Sequence, residues 1–156
     1  MSVLSRLIGV HQLILLNFYP FLQKYLQPQQ REVAQILAMA AQACHSLVPP
    51  DAVEPVVQAI ANHFVADHCA PEVITMGLNA IRELAVRSPS ALNTTLLRDL
   101  AQFKNNKDKG VMISAKGLIG LYRELDPTML HKKDRVRLGN FLFLFLFVFV
   151  LKTLFF

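Results

Sequence analysis

Residues 71–89 read PEVITMGLNAIRELAVRSP, and residues 109–127 read KGVMISAKGLIGLYRELDP. Each sets apolar side chains at helical spacing: Val73, Met76, Ala80, Ile81 and Leu84 in the first, Val111, Ala115, Leu118, Tyr122 and Leu125 in the second. An ungapped shift of 38 lays Val73 on Val111, Ile81 on Ile119, Pro89 on Pro127 and Leu92 on Leu130. A shift of 40 lays Val33 on Val73, Ala40 on Ala80 and Pro49 on Pro89. Apolar helices align easily with one another, so each match is weak by itself and the shared period is the signal. A period near 40 is the length of a HEAT or armadillo helix pair. The fold expected is therefore all-α, a HEAT/armadillo-like α-solenoid, with an irregular helical bundle as the alternative. Solenoid units bury their faces only against neighbours, so about three of them lie near the lower limit for stability.

The same pattern extends outward. Leu4 to Leu26 reads as a first apolar helical region, kinked or broken near Pro20 by the missing N–H. Pro28 suits the first turn of the next helix, on which Val33, Ile36, Leu37, Ala40, Ala41 and Cys44 share a face. Pro49-Pro50 stops that helix, and Asp51 with Glu54 three residues on reads as a capping box. Val53, Val56, Val57, Ile60 and Phe64 make the following stripe. Glu83 is spaced to pair with Arg87 at i,i+4. A helix from about Asn93 to Phe103 carries Leu96, Leu97 and Leu100, and the polar loop KNNKDKG (Lys104–Gly110) leads into the last long helix. Two regions are thus expected: a helical-repeat region over 1–135 and an atypical hydrophobic tail over 136–156.

At 156 residues the chain is long enough for one domain with a real core, and its 53% hydrophobic composition excludes disorder over most of its length. The net charge of +5 is unevenly placed. Residues 1–97 carry five basic and six acidic side chains, whereas residues 98–137 carry ten basic and five acidic. A localised basic face meets nucleic acid, acidic protein or anionic lipid, or is simply a solvated helix end. Lys104, Lys107, Lys109, Lys132 and Lys133 are the candidate contacts to a nucleic-acid phosphate backbone or an acidic partner. Phe103 and Tyr122 fall on apolar stripes, so they read as core and give no base-stacking platform.

No catalytic constellation is present. The chain lacks GxxxxGK[ST], a GxGxxG following a strand, GxSxG and HExxH. His63, Asp67, His68 and Cys69 form the one local group of metal-ligand types, but without the paired spacing that structural zinc requires. His11 and His45 sit on apolar helices and read as edge or core residues. Cys44 and Cys69 form no recognised spacing and read as reduced thiols, as in an intracellular protein. Neither an enzyme, a metal site, a cofactor nor a small-molecule substrate is expected.

The tail is FLFLFLFVFVLKTLFF (Phe141–Phe156), holding seven of the eleven phenylalanines and one charge, Lys152. Its eleven consecutive apolar residues, Phe141–Leu151, fall short of the roughly 20 that a spanning helix needs. A tail-anchored membrane protein is the alternative reading, with Lys132, Lys133, Arg135 and Arg137 on the cytosolic side. Otherwise the tail packs irregularly on the solenoid or promotes aggregation. Its near-alternating composition also resembles read-through of non-coding sequence beyond a splice boundary near Arg135.

Four strings carry a family resemblance: IGVHQLILLNFYPFLQKYLQPQQREV (Ile8–Val33), HSLVPPDAV (His45–Val53), NAIRELAVRSP (Asn79–Pro89) and DLAQFKNNKDKGVMISAKGLIGLYRELDPTMLHKK (Asp99–Lys133). Together they resemble the severe-depolymerization-of-actin (SDA) family over about Leu4 to Arg135. The resemblance implies a helical-repeat, non-enzymatic assembly factor of the nucleus and nucleolus, acting in biogenesis and nuclear export of the large (60S) ribosomal subunit. It implies the pre-large-subunit ribosomal particle as partner, and links to protein transport and actin cytoskeleton organisation. A basic RNA-binding helical module is a further alternative. The family's N-terminal helical region, its charged low-complexity stretch and its charged C-terminal region are missing from these 156 residues, and its polar continuation after HKKDR is replaced by VRLGN and the aromatic tail.

Overall fold

The computed structural model describes residues 1–66 and 68–135. Asp67, Arg137 and the expected tail region 136–156 lie outside the described residues. The helices are α1 (Ser2–His11), α2 (Phe18–Gln23), α3 (Val33–Ala43), α4 (Pro50–Phe64), α5 (Pro71–Arg87), α6 (Thr94–Gln102), α7 (Lys109–Leu125) and α8 (Lys132–Arg135). Short 3₁₀ turns lie at Pro89–Ala91, Phe103–Asn105 and Pro127–Met129, and no strand occurs among the described residues. α1 packs on α3, α3 on α5 and α5 on α7, while α2 packs on α4 in a second layer and α6 lies against α7. Helix pairs stacked in this way make the short α-solenoid that the repeat spacing predicts.

The 38-residue shift has a direct structural meaning. α5 and α7 begin 38 residues apart, at Pro71 and Lys109, and each is followed by a proline-initiated 3₁₀ turn, at Pro89 and Pro127. Proline fits there because the first turn of a helix has no partner for its N–H. Pro50 does the same work as the first residue of α4, with Pro49 ahead of it as the N-cap. The paired residues Ile81 and Ile119, and Leu92 and Leu130, are all buried. Asn93 caps α6 by accepting from the Thr95 N–H (2.9 Å), and Asp108 caps α7 by accepting from Gly110 (2.8 Å) and Val111 (3.1 Å).

Two buried tyrosines tie elements together. Tyr19 of α2 donates its hydroxyl to the Ala43 carbonyl at the end of α3, and Tyr122 of α7 donates to the Pro89 carbonyl, each at 2.9 Å. Burial pushes the Tyr19 phenol up, with a smaller contribution from nearby Cys44, and it pushes Tyr122 up to about 12. Burial likewise pushes the Cys44 thiol up to about 11, against a partial offset from Arg87. Raised pKa values mean that the neutral form is favoured in the fold. The associated stability is present below the unfolded values near pH 9–10 and is lost as pH rises toward the folded ones. Urea midpoints are therefore expected to fall from about pH 9 upward. A Tyr19→Phe/Tyr122→Phe variant should fall less steeply; an equal slope would contradict the assignment.

Cys44 is buried and its thiolate suppressed, while Cys69 is half-exposed. At pH 8, iodoacetamide is expected to label Cys69 well before Cys44, as read by peptide mass spectrometry.

Several sequence expectations are corrected in detail. The first helical region breaks at Gln12, not at Pro20: Gln12 adopts a left-handed conformation (φ 51°) and its N–H returns to the Ile8 carbonyl. Pro20 is the third residue of α2, where its absent N–H costs nothing. Pro28 precedes α3 by five residues instead of opening it, and Glu32, at φ 55°, makes the entry. Asp51 lies within the first turn of α4 and makes no capping bond, because the helix starts one residue earlier, at Pro50. Pro55 lies inside α4 on its exposed side and leaves the Asp51 carbonyl without its i+4 N–H donor. Glu83 pairs with Arg82 at 3.0 Å, because Arg87 is drawn away to the Ala41 carbonyl. The buried arc of α5 centres on Ile74, Leu78, Ile81, Leu84 and Ala85, leaving Val73 and Met76 half-buried at its margin. Leu125 ends α7 exposed, where the chain turns away into the Pro127 turn.

Candidate interaction surface

The basic stretch folds into two grooves on either side of one ion pair. Lys104, in the turn after α6, bonds Asp134 of α8. Both partners are largely covered, at 26% and 11% side-chain exposure. The backbone carbonyl of Asp134 accepts from Arg123 Nε at 2.5 Å, so α8 is held against the end of α7 by one carboxylate and one carbonyl. Arg98 Nε donates to the Met129 carbonyl (3.2 Å), and Arg135 donates to the Leu130 (3.1 Å) and Thr128 (3.0 Å) carbonyls. Asp126 closes the turn by accepting from the Thr128 hydroxyl (2.6 Å) and N–H (2.9 Å), which lower its carboxyl pKa. The arginines thus serve as braces for the chain after α7.

One groove, of about 570 Å³, is bordered by Arg98, Lys104, His131, Lys132, Lys133 and Arg135. The other, of about 450 Å³, is bordered by Lys104, Lys116, Gly117, Gly120, Arg123 and Asp134. Of the five lysines singled out in the sequence, Lys104, Lys132 and Lys133 are brought together. Lys107 and Lys109 line neither groove, because Asp108 starts α7 between them and the helix runs on from there toward Lys116 and Arg123. Lys104 is also less free than its charge suggests, being engaged by Asp134. Arg98, Lys116, Arg123 and Arg135 were missed as a group. The signal for α8 was Asp134 itself, a lone acid within HKKDR.

Phe103 is half-buried against the core and borders neither basic groove, and Tyr122 is buried. A surface of this kind complements a phosphate backbone or an acidic partner by charge, without base readout.

The remaining candidates are structural. His63 Nδ1 hydrogen-bonds the Leu26 carbonyl at 2.6 Å and anchors the chain between α2 and α3. The Cys69 thiol points to the His63 carbonyl (3.5 Å), His68 is exposed, and no metal-binding cluster occurs among the described residues. His45 is buried, with Nε2 donating to the Leu13 carbonyl (3.1 Å) and Nδ1 unpartnered. No helix among the described residues is long and apolar enough to cross a membrane.

Comparison with known proteins agrees with this architecture. A family model described as SDA1, HEAT repeat, matches residues 1–107. The Protein SDA1 homolog of Nematostella vectensis is 56% identical over 135 residues, covering 86% of this chain and 20% of the relative. The Xenopus laevis Protein SDA1 homolog is 55% identical over 135 residues, with the same shares. Protein sda1 of Schizosaccharomyces pombe is 51% identical over 140 residues, covering 90% of this chain and 20% of the relative. The chain spans about a fifth of the length of these curated relatives. By its stacked helix pairs, its family match and its identities, the chain belongs to the SDA1 HEAT-repeat family.

Proposed function

We propose that the chain is a segment of a non-enzymatic scaffold for biogenesis of the large ribosomal subunit, working in the nucleus and chiefly the nucleolus. The observation that carries this reading is the SDA1 match over residues 1–107, together with identities of about half across the folded part. The role extends to nuclear export of the particle and, through the same scaffold, to protein transport and actin organisation. A solenoid suits such a role because it presents an extended surface to other macromolecules. The partner is the pre-large-subunit particle, and the basic grooves beside Lys104 are the side turned toward its ribosomal RNA or acidic proteins. Tagged chain in nuclear extract is expected to co-sediment with pre-large-subunit particles; recovery only in particle-free fractions would overturn the reading.

A second reading, a basic RNA-binding module, draws on the clustering of Lys132 and Lys133 with Arg98, Lys116, Arg123 and Arg135. Removing one lysine–phosphate pairing flattens the salt dependence of binding by roughly 0.7–0.9 in log–log slope. Lys132→Gln/Lys133→Gln should therefore flatten the slope by about 1.4–1.8. Lys107→Gln/Lys109→Gln should leave it nearly unchanged, since neither lines the grooves. Equal effects of the two pairs would show that RNA does not bind in the grooves.

The tail-anchor alternative concerns residues outside the described part. It predicts resistance to alkaline carbonate extraction that disappears on deleting Phe141–Phe156.

A further inference from the structure

Among the described residues, fifteen large apolar side chains are exposed, and eleven of them lie between Met1 and Tyr25. On α1 they form a stripe. Val3, Leu7 and Val10 project roughly opposite Ser5 and Ile8 at about 100° per residue. Ser5 and Ile8 are fully buried on the α3 side, while Val3 and Val10 are 71% and 77% exposed. α1 therefore carries two apolar faces, the pattern of a helix with neighbours on both sides. Leu13–Leu16 and the tilted Phe21–Tyr25 ring pair (centroids 5.2 Å apart), which spans the end of α2, are exposed as well. At the far end, α7 exposes Lys109, Lys116 and Glu124 together with Ile113 and Leu125, so the concentration of exposed apolar side chains is a feature of the first 25 residues.

The charge near this edge is mainly basic: residues 1–31 contain Arg6, Lys24 and Arg31 and no Asp or Glu, and the exposed Glu32 follows at the entry to α3. All three cations are exposed, and none belongs to an ion pair among the described residues. Two obvious occupants are disfavoured by this charge. A second copy docked through the same edge would set basic rim against basic rim. The chain's own apolar run, Phe141–Phe156, brings one further lysine and no carboxylate.

We propose that the α1–α2 edge is a docking face for an α-helical hairpin of the same repeat type, with an apolar stripe flanked by carboxylates. Val3, Leu7 and Val10 interdigitate with the stripe, and Arg6, Lys24 and Arg31 meet the acidic flanks. The proposal is independent of the basic grooves near α8. The relatives, about four times the length of this chain, have ample sequence to supply such a hairpin.

The test uses the full chain and two designed helix–loop–helix peptides of about 40 residues, identical in their leucine stripe and differing only in Glu or Lys flanks. By isothermal titration calorimetry, the Glu-flanked hairpin should bind at least roughly tenfold more tightly than the Lys-flanked one, with the difference shrinking as salt is raised. Leu7→Glu/Val10→Glu, at exposed positions, should weaken that binding by about tenfold or more while the circular dichroism melt is unchanged. Equal binding of the two hairpins by the wild-type chain would overturn the proposal even if the variant were lost to misfolding. So would a dimer in sedimentation equilibrium that Leu7→Glu/Val10→Glu dissociates. Tighter binding to phosphatidylserine-containing vesicles than to the Glu-flanked hairpin, abolished by the same variant, would assign the face to a lipid surface instead.

Discussion

Phe64→Ala lowers the free energy of unfolding by about 3–5 kcal/mol, the range for removing a fully buried aromatic side chain. Phe64 closes α4 and is 0% exposed. Its neighbour across the interface is Gly77 of α5, whose backbone comes so close that a Cβ there would sit 2.7 Å from Phe64 Cβ. With the two backbones in such close approach, the cavity has little room to collapse, which places the cost toward the upper part of that range. Repeat arrays hold together by the interfaces between neighbours, and Phe64 lies where α4 meets α5, in the middle of the stack. Urea unfolding followed by circular dichroism should show a lower midpoint and a broadened transition as the two halves uncouple. Val86→Ala on the same stack, at a side chain 52% exposed, should stay within about 0.5 kcal/mol of wild type. Similar effects of the two substitutions would contradict the packing described.

Gly9→Ala should cost about 3 kcal/mol, at the upper end for overpacking, and the damage should be local. An added Cβ would sit 2.1 Å from the Gln42 carbonyl oxygen, an atom of backbone that no rotamer change can move. α1 and α3 must therefore separate, and α1 holds few other anchors. Amide hydrogen exchange should accelerate throughout Ser2–His11 and at the end of α3, with α5 and α7 unaffected. Gly120→Ala gives the opposite sign, since nothing lies within 4 Å of its Cβ position. Replacing an unconstrained helical glycine should stabilise the chain by up to about 1 kcal/mol. The pair separates a glycine required by close approach from one that is merely tolerated.

Much of the architecture was legible because it is periodic. The stripes Val53–Val56–Val57–Ile60–Phe64 and Val111–Ala115–Leu118–Tyr122 are buried as their spacing requires, and the 38-residue shift coincides with the step from α5 to α7. What escaped the sequence depends on tertiary position. Gln12 and Glu32 take left-handed conformations that their residue types do not announce, so the break after α1 was misplaced onto Pro20. Glu83 and Arg87 had the right spacing to pair, yet the Ala41 carbonyl of a neighbouring helix took Arg87. The basic surface was visible as composition but not as a site. Helix geometry carries Lys107 and Lys109 away from Lys132 and Lys133, and it brings in Arg98, Lys116 and Arg123 from two other helices. The exposed apolar edge of α1 was hidden because an apolar stripe in sequence looks the same whether or not its partner is present.

We propose that this segment holds its α8-side basic surface against the pre-large-subunit particle. The most direct measurement is sucrose-gradient sedimentation of nuclear extract carrying either the wild-type chain or Lys132→Glu/Lys133→Glu, both positions being exposed and outside the core. Wild-type chain is expected in the pre-large-subunit fractions, and the charge-reversed chain, equally folded by circular dichroism, near the top of the gradient. Co-sedimentation of both chains alike, or of neither, would contradict the claim.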